Sequence, residues 1–199
     1  MLFYLAPMEG ITGYIVRNAY AHYFPYIDKY FTPFIPAAKK MSKKIKRDLA
    51  AENNDQIRLV PQLIGNRADE FLMMIRQLEE LGFTSVNLNF GCPSGTVVSK
   101  RKGAGFLADP KELEMLLEEV LENSPLAVSV KTRVGIKDPD EWEALCGVYA
   151  KFPLEELIIH PRLQKDYYSG TPRMETFARA LEQIHVPLCY NGDICSVED

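Results

Sequence analysis

A repeated alternation of short apolar runs with helical patterns constrains the fold of this 199-residue chain more than any other feature. Each run ends in a polar or Gly/Pro-rich tip, and apolar residues at helical spacing follow most of them. The apolar runs span residues 3–6, 30–34, 59–64, 86–90, 127–132, 157–160 and 188–191. Strand–helix alternation of this kind predicts right-handed crossovers and a parallel sheet.

The helical segments carry their own start and stop signals. Apolar residues keep i, i+4, i+7 spacing at Phe71, Ile75, Leu78 and Leu81, and similar spacing recurs over residues 113–121. The tetrapeptides Asp-Pro-Lys-Glu at 109–112 and Asp-Pro-Asp-Glu at 138–141 each offer an Asp N-cap, a Pro at the first helical position and a Glu at the third. Gly82 stands where the helix containing Phe71 should end.

Seven strands without a dinucleotide-binding fingerprint favour a (β/α)8 barrel of the TIM type over a doubly wound sheet. A complete barrel has eight strands and about 250 residues. We therefore expect one α/β domain over residues 1–199, an incomplete barrel of about seven βα units. The 47% apolar content is sufficient for a buried core.

Composition excludes several other classes of protein. No run of about 18 apolar residues is present, and the N-terminus shows no signal peptide. The four cysteines have neither CxxC spacing nor a short disulfide framework, which favours reduced thiols and a cytoplasmic protein. With three histidines as the other soft ligands, we expect no metal site.

Positive charge is concentrated in two short segments, although the net charge is −4. Such clusters on an acidic chain suit local contact with phosphates, and a solvated basic helix face is the equally open alternative for the first. The first cluster is Lys39, Lys40, Lys43, Lys44, Lys46 and Arg47, and the second is Lys100, Arg101 and Lys102.

The fourth apolar run leads to the most informative tip, Asn-Leu-Asn-Phe-Gly-Cys-Pro at 87–93. Asn87 and Asn89 point to the same face of a strand because side chains alternate along it. The strand breaks at Gly91, and Cys92 follows, held between glycine and proline. Polar groups on one face, with a thiol at the C-terminal tip, are typical of an active-site strand.

Other strand tips place polar side chains at the same predicted mouth. Gln62 points inward among apolar neighbours and needs hydrogen-bond partners, whether a ligand or the protein itself. Lys131 and Arg133 share one face of the fifth strand, where a buried lysine requires an anion. His160 and Arg162 share a face of the sixth, although a strand histidine is usually a satisfied core residue.

The first and seventh tips are turns. The first contains Pro7, Met8 and Glu9, and it either packs against a flat ring or is an ordinary loop. Asn-Gly-Asp at 191–193 follows the last strand, where barrels commonly bind phosphate, and as a bare tripeptide it is only a turn.

Taken together, these tips resemble the tRNA-dihydrouridine synthase family, flavoproteins that reduce uridine in tRNA. The resemblance runs nearly end to end, and its most specific element is Asn-x-Asn-x-Gly-Cys-Pro. The matching segments are 6–12, 61–63, 87–93, 100–105, 130–133, 160–162, 168–170 and 191–193.

The resemblance implies an FMN-binding TIM-barrel catalytic domain with FMN across the mouth and NADPH as reductant. Hydride would pass from the flavin to uracil C6, and the Cys92 thiol would protonate C5. The implied cofactor-binding residues are Pro7, Met8, Glu9, Gln62, Lys131, His160, Asn191, Gly192 and Asp193. The implied substrate-binding residues are Asn89, Arg133, Arg162, Lys100 and Arg101, with the basic clusters contacting tRNA phosphates.

Two departures from the family pattern carry expectations of their own. The family shows Thr-Asp in the first loop, whereas this chain has Thr12-Gly13, so we expect an acidic contact to be missing. The chain also ends before an eighth strand and before the family's C-terminal helical tRNA-binding domain. Weak FMN binding and poor turnover are expected of the chain as given.

Two other functions remain open from the sequence. One is an FMN barrel that acts on a free pyrimidine, against which the basic clusters and the Gly-Cys-Pro tip count. The other is a non-catalytic barrel remnant that binds RNA or a partner without turnover.

Overall fold

The computed structural model describes residues 1–196, and within that range every strand pairing is parallel. The strands are β1 (Tyr4–Leu5), β2 (Lys29–Phe31), β3 (Ile35–Pro36), β4 (Leu59–Val60), β5 (Gln62–Ile64), β6 (Ser85–Phe90), β7 (Ala127–Arg133), β8 (Leu157–His160) and β9 (Leu188–Tyr190). They pair in the orders β1-β2-β4 and β3-β5-β6-β7-β8-β9. The second run consists of β2 and β3, and the third consists of β4 and β5. Since β2 pairs with β4 and β3 pairs with β5, the nine strands occupy seven consecutive positions of one wall.

Two of the predicted strands are each divided in two. The second run breaks around Pro33 between β2 and β3, and the third breaks at Pro61 between β4 and β5. Proline has no N–H to give to a strand ladder, so it interrupts the pairing. In the gap, the backbone N–H of Gln62 donates to the hydroxyl of Thr32 at 2.9 Å. The runs at 30–34 and 59–64 are therefore not single strands.

Helices cover the outside of the wall: α1 (Tyr14–Tyr23), α2 (Lys43–Leu49), α3 (Ala68–Glu80), α4 (Gly95–Val98), α5 (Pro110–Asn123), α6 (Glu141–Tyr149) and α7 (Met174–Gln183). Short 3-10 helices lie at Ala51–Asn53, Gly103–Ala108 and Gln164–Asp166. The predicted apolar faces are buried, with Phe71, Ile75 and Leu78 of α3 at 0% exposure. Leu81 lies past the end of α3 and is 49% exposed, so it does not belong to that face.

The helix signals were right at one start and wrong at the other. Asp109 caps α5, since its carboxylate accepts from the N–H groups of Lys111 and Glu112. Asp138 does not cap a helix, because α6 begins only at Glu141. The Glu141 carboxylate instead accepts from backbone N–H groups at residues 136–138 and closes a loop. Gly82 has a φ of +87° just after α3, as its stop signal predicted.

The interior of the wall shows that the sheet curves into a barrel. Phe31, Val60 and Ile158 form a small cluster together with Tyr4 of β1 and Cys189 of β9, the first and last strands. At the N-terminal ends of the strands, the Tyr4 hydroxyl donates to Glu156 at 2.8 Å, and Lys29 Nζ lies 3.0 Å from the same carboxylate. Contacts between the two ends of the strand order require curvature, so the predicted (β/α) barrel is confirmed with seven strand positions in residues 1–196.

No helix within residues 1–196 is long and apolar enough to cross a membrane.

Candidate active site at the barrel mouth

A cavity of about 270 Å³ opens at the C-terminal side of the barrel. It brings together twelve of the fifteen sequence-predicted site residues, from six of the strand tips: Pro7, Met8, Glu9, Gln62, Asn89, Cys92, Lys131, Arg133, His160, Asn191, Gly192 and Asp193. Arg162, Lys100 and Arg101 do not line it. Convergence of polar tips at this face of a barrel is the usual arrangement of a catalytic site.

A chain of hydrogen bonds between side-chain amides lies at the bottom of this cavity. Asn89 Nδ2 donates to Gln62 Oε1 at 2.8 Å, and Gln62 Nε2 donates to Asn87 Oδ1 at 2.8 Å. Asn87 Nδ2 then donates to the Ser129 hydroxyl at 2.9 Å. Each amide therefore has a protein partner and a single orientation, and Gln62 keeps one N–H and one lone pair for a ligand.

The loop that carries Cys92 is held on several sides. Asn89 Oδ1 accepts from the backbone N–H groups of Gly91 and Cys92 at 3.0 and 2.9 Å. The Cys92 carbonyl accepts from Ala104 N at 3.0 Å, and a Cβ on Gly103 would lie only 2.8 Å from that carbonyl. The half-buried thiol is thus fixed at the rim of the cavity, facing the space that Gln62 and Lys131 also line.

Lys131 lies in the mouth without a counter-ion. No hydrogen bond or ion pair to its ammonium occurs within residues 1–196. Burial, and secondarily the positive charge of Arg133, lowers the pKa of Lys131 to about 8. An anionic ligand in the cavity would offset both effects, so this side chain is suited to bind one.

Arg133 lines the cavity and also supports the Cys92 loop. Its Nε donates to the Gly91 carbonyl at 3.0 Å, and Nη1 donates to the Leu163 carbonyl at 2.9 Å. Tyr168 lies against the guanidinium, with 5.4 Å between Arg133 Cζ and the ring centroid. The Nη2 group makes no hydrogen bond within the described residues and remains available to a substrate oxygen.

His160 is neutral and has a defined tautomer. Burial, together with the charges of Lys131, Arg133 and Arg162, lowers the pKa of His160 to about 3. Its Nε2 lies 3.2 Å from Nη1 of Arg162, which only donates, so Nε2 accepts and the ring proton sits on Nδ1. His160 can therefore donate one hydrogen bond but adds no positive charge to the site.

Arg162 has partners other than the uracil that the resemblance assigned to it. Its guanidinium is 1% exposed and binds the Asp193 carboxylate at 2.6 and 2.5 Å. It also donates to the carbonyls of Ser169 and Gly170. The geometry therefore makes Arg162 a support for His160 and for the loop at 191–193. Its contact with the base stays a prediction that this arrangement does not favour.

The loop after β9 has a backbone that only glycine accommodates readily. Gly192 has a φ of +143°, and a Cβ there would lie 3.2 Å from the His160 ring. Without a side chain at 192, the backbone of the loop lines the cavity directly beside His160. This is a suitable position for backbone N–H donors to a phosphate.

An acidic side chain from another element lies beside Gly13. Asp48, in α2, accepts from the backbone N–H of Tyr14 at 2.7 Å and so caps α1 from outside. Its other oxygen lies 3.1 Å from Nη1 of the fully buried Arg17. A Cβ on Gly13 would lie 3.4 Å from the Asp48 carboxylate, so the carboxylate occupies the space beside Gly13. The fold therefore brings an acidic group beside Gly13 from a distant position in the chain, while the missing family contact at 13 stays a prediction.

The two basic clusters differ in how free their charges are. The cations of the first cluster form no ion pair within residues 1–196. In the second cluster, Arg101 binds the Glu112 carboxylate, and its φ of 52° gives a left-handed turn. The Lys100 carbonyl accepts from Asn66 while its ammonium is exposed. The first cluster is therefore the stronger candidate for phosphate contact.

Two aromatic residues at the mouth were not among the predicted site residues, although Tyr168 lies in a segment that matches the family. Phe34 and Tyr168 both line the cavity. Phe34 was placed inside a predicted strand, and only the break at Pro33 frees it for the mouth. Its position at the end of an apolar run, like Cys92, was the available signal.

Comparisons with known proteins agree with this geometry. The dihydrouridine synthase (Dus) family model matches residues 4–199. A tRNA-dihydrouridine(16) synthase of Pseudomonas putida is 31% identical over 98% of this chain, which covers 63% of that protein. tRNA-dihydrouridine synthase B of Pasteurella multocida is 27% identical over 98% of the chain and 59% of the relative. The chain thus spans about three fifths of the length of these relatives.

Among solved structures, a variant of NCR from Zymomonas mobilis superposes with a TM-score of 0.62 at 12% identity, over 96% of this chain and 74% of the other. At that identity the similarity concerns the fold alone. The family match covers nearly the whole chain and the cysteine loop with it. By that match, this chain belongs to the dihydrouridine synthase family.

Proposed function

We propose that this chain is the catalytic domain of an FMN-dependent tRNA-dihydrouridine synthase, which reduces the C5–C6 bond of a tRNA uridine with electrons from NADPH. One observation carries the proposal: the Cys92 thiol faces the same cavity as Gln62, Lys131 and His160. Family membership supports it, as does the tRNA substrate in the names of several relatives. We further propose that the enzyme acts in the cytoplasm.

The residues at the mouth fit FMN by their chemistry. Lys131 is a cation without a counter-ion, and Gln62 has one free donor and one free acceptor for the edge of a heterocycle. His160 and the loop at 191–193 would hold the phosphate end, and the tip at 7–9 would contact the ring. FMN bound there would supply the hydride that reaches uracil C6.

Cys92 would then donate a proton to C5 of the base. This role requires a neutral thiol, since a thiolate has no proton to give. The backbone N–H groups of Gly91 and Cys92 donate to Asn89 Oδ1 and hold the loop that carries the sulfur. The free Nη2 of Arg133 would orient a carbonyl of the base. Lys131 would balance the negative charge that develops on the cofactor side of the cavity.

The uridine must leave the folded tRNA to reach this cavity. Lys39, Lys40, Lys43, Lys44, Lys46 and Arg47, with Lys100 and Arg101, would then contact the phosphates around it. Such contacts make binding weaken as salt rises.

The test separates the two half-reactions. Cys92→Ala should leave NADPH-driven bleaching of the flavin absorbance intact and lower single-turnover uridine reduction by roughly 10²-fold or more, because only the second step uses its proton. Ser94→Ala, two residues along the same loop, is the matched control and should leave both steps unchanged. Equal loss of both steps in Cys92→Ala would contradict the proton-donor role. Reduction of free uridine but not of tRNA would contradict the substrate.

A further inference from the structure

A second and larger cavity, of about 570 Å³, lies beside the mouth between α1 and α2. We call it the α1–α2 groove, and it is lined chiefly by Ile11, Tyr14, Ile15, Phe34, Lys44 and Arg47. Phe34 and Glu9 line both this groove and the mouth, so the two spaces share a wall. Apart from Glu9 in the shared wall and the general phosphate contacts of Lys44 and Arg47, the proposed function uses no residue of the groove.

The walls of the groove are apolar and exposed. Ile15 is 69% exposed and Ile11 is 53% exposed, although both are large aliphatic side chains next to the proposed catalytic site. Tyr14 and Phe34 add aromatic surface. Exposed apolar surface concentrated beside a functional cavity is typical of a binding site.

The rim of the groove is positively charged. Lys44 and Arg47 lie three residues apart on α2 and both line the groove. Neither forms an ion pair with any residue in 1–196, and the nearby Asp48 is already paired with Arg17. A ligand with an apolar, flat part and a negatively charged part matches this combination.

The groove is also held in shape. Arg17 of α1 donates to the Asp48 carboxylate of α2 at 3.1 Å and to the Asp48 carbonyl at 2.9 Å. It donates further to the Thr12 carbonyl at 2.7 Å, in the loop that precedes α1. These bonds join the two helices and the first loop beneath the groove, so little ordering is needed when a ligand binds.

We propose that the α1–α2 groove binds the base of the nucleotide next to the target uridine, with the adjoining phosphate on Lys44 and Arg47. The inference rests on the proposed function, in which the mouth holds the target uridine. Because the groove and the mouth share a wall, the neighbouring nucleotide of the same strand enters the groove. Stacking on Tyr14 and Phe34 tolerates any base, so the groove holds RNA in register without reading its sequence. Glu9 can accept a hydrogen bond from a base N–H across the shared wall.

A short single-stranded probe tests this without the cost of opening folded RNA. The probe is a fluorescein-labelled RNA pentamer with a central uridine, compared with pentamers that lack the base at the position before or after it. Binding to the full chain with FMN is followed by fluorescence anisotropy. Removing the base on one side should weaken binding about tenfold, within the range that stacking of one base supplies.

Ile15→Asp should weaken binding of the intact pentamer by about tenfold and abolish the difference between intact and base-free probes. Ile15→Ala, which adds no charge, should reduce that difference in the same direction. Met115→Asp, at a 61% exposed position of α5 outside both cavities, is the matched control and should behave as the unchanged chain. Lys44→Gln should lower the salt dependence by about one charge, whereas Lys111→Gln should not.

The proposal is overturned if Ile15→Asp still distinguishes intact from base-free probes as the unchanged chain does. It is also overturned if the variant's main effect is loss of a self-associated species in sedimentation, which would make a second copy the occupant. If a probe without the central uracil binds as well as the intact probe, the result contradicts the proposed function but not the binding of a base in the α1–α2 groove.

Discussion

Two lysines in the interior of the same barrel show how differently the fold treats its two ends. Lys29, at the N-terminal end of β2, is 6% exposed and lies 3.0 Å from Glu156, which also accepts from Tyr4. Lys131, in β7, points to the mouth, and the pKa of its ammonium is lowered to about 8 without an ion-pair partner in residues 1–196. At the N-terminal end of the barrel the protein itself pairs the buried lysine, whereas at the mouth the lysine is available to pair with an anionic ligand.

The two ends of the barrel thus separate charged residues that stabilise the fold from charged residues that are available to a ligand. The floor group, which consists of Tyr4, Lys29 and Glu156 at the N-terminal end of the barrel, joins three strand positions. Burial and the bond to Glu156 raise the pKa of Tyr4, which keeps its proton in that bond. At the mouth, the unpaired charge costs stability that bound anion would restore. The predictions below test this contrast, in order of decreasing effect.

Breaking the floor should have the largest effect. Glu156→Ala leaves the Lys29 ammonium buried without a partner and should lower the free energy of unfolding by about 3–5 kcal/mol, measured by urea denaturation. The double variant Lys29→Met/Glu156→Leu removes both charges and should recover most of that loss. A double variant as unstable as Glu156→Ala would show that packing at the floor matters more than the ion pair.

For another buried cation, Arg17, the carboxylate partner can be moved to a different position instead of being removed. Asp48→Ala should cost about 2–3 kcal/mol, because α1 loses its cap and Arg17 loses its carboxylate. Adding Gly13→Asp should recover about 1 kcal/mol or more, since φ at 13 is −66° and the vacated space beside it admits the new carboxylate. Thermal unfolding of the single and double variants measures the recovery. If the double variant is as unstable as Asp48→Ala, a carboxylate stabilises this region only when it is attached to α2.

Removing the mouth cation should stabilise the protein while it weakens cofactor binding. Lys131→Met should raise the free energy of unfolding without FMN by roughly 1–2 kcal/mol at pH 7, because the folded state disfavours the charged lysine. The same change should weaken FMN binding by at least tenfold, measured by flavin fluorescence. A variant that is both less stable and unchanged in FMN affinity would reverse the contrast between floor and mouth.

The same lysine predicts a pH dependence of stability. Since the pKa of Lys131 falls from 10.5 to about 8 on folding, the unfolded chain binds more protons between these values. Stability without FMN should therefore gain a rising contribution from Lys131 as pH increases from about 8 towards 10.5. Lys131→Met should lack this contribution, so the difference in free energy of unfolding between the variant and the unchanged protein should decrease at high pH. If that difference does not change with pH, the ammonium of Lys131 is solvated in the folded state.

An exposed ion pair gives the smallest expected effect. Lys151 Nζ lies 2.7 Å from Glu114, closer than the floor pair, but the two side chains are 55% and 36% exposed. Glu114→Gln should change the free energy of unfolding by less than about 0.5 kcal/mol. A loss as large as that of Glu156→Ala would mean that distance, and not burial, sets the energy of these pairs.

Local signals predicted the elements best where one residue decided the backbone. Asp109 caps α5 and Gly82 ends α3 as expected, because both act through bonds to neighbours in the chain. The equivalent signal at Asp138 failed, since Glu141 binds the loop N–H groups instead and delays the helix. Short strands such as β2 and β3 were also joined in error across Pro33.

The candidate site was predictable to the extent that its residues lie at strand tips. Cys92 and His160 reach one cavity because parallel strands end at the same side of a barrel, which follows from the alternation alone. The partners within the site were not predictable. Arg162 pairs with Asp193, and Asp48 lies beside Gly13 and caps α1, because such contacts depend on the packing of segments that are distant in the chain.

The order of apolar runs and polar tips was enough to predict a parallel barrel and the polar residues at its mouth, since strand period and strand direction are properties of the chain. The pairing of charges became visible in the folded protein alone: Lys29 pairs with Glu156, 127 residues away, and Lys131 has no ionic partner within residues 1–196. Whether a buried charge is satisfied depends on what the fold brings within about 4 Å of it, and a linear pattern does not contain that distance.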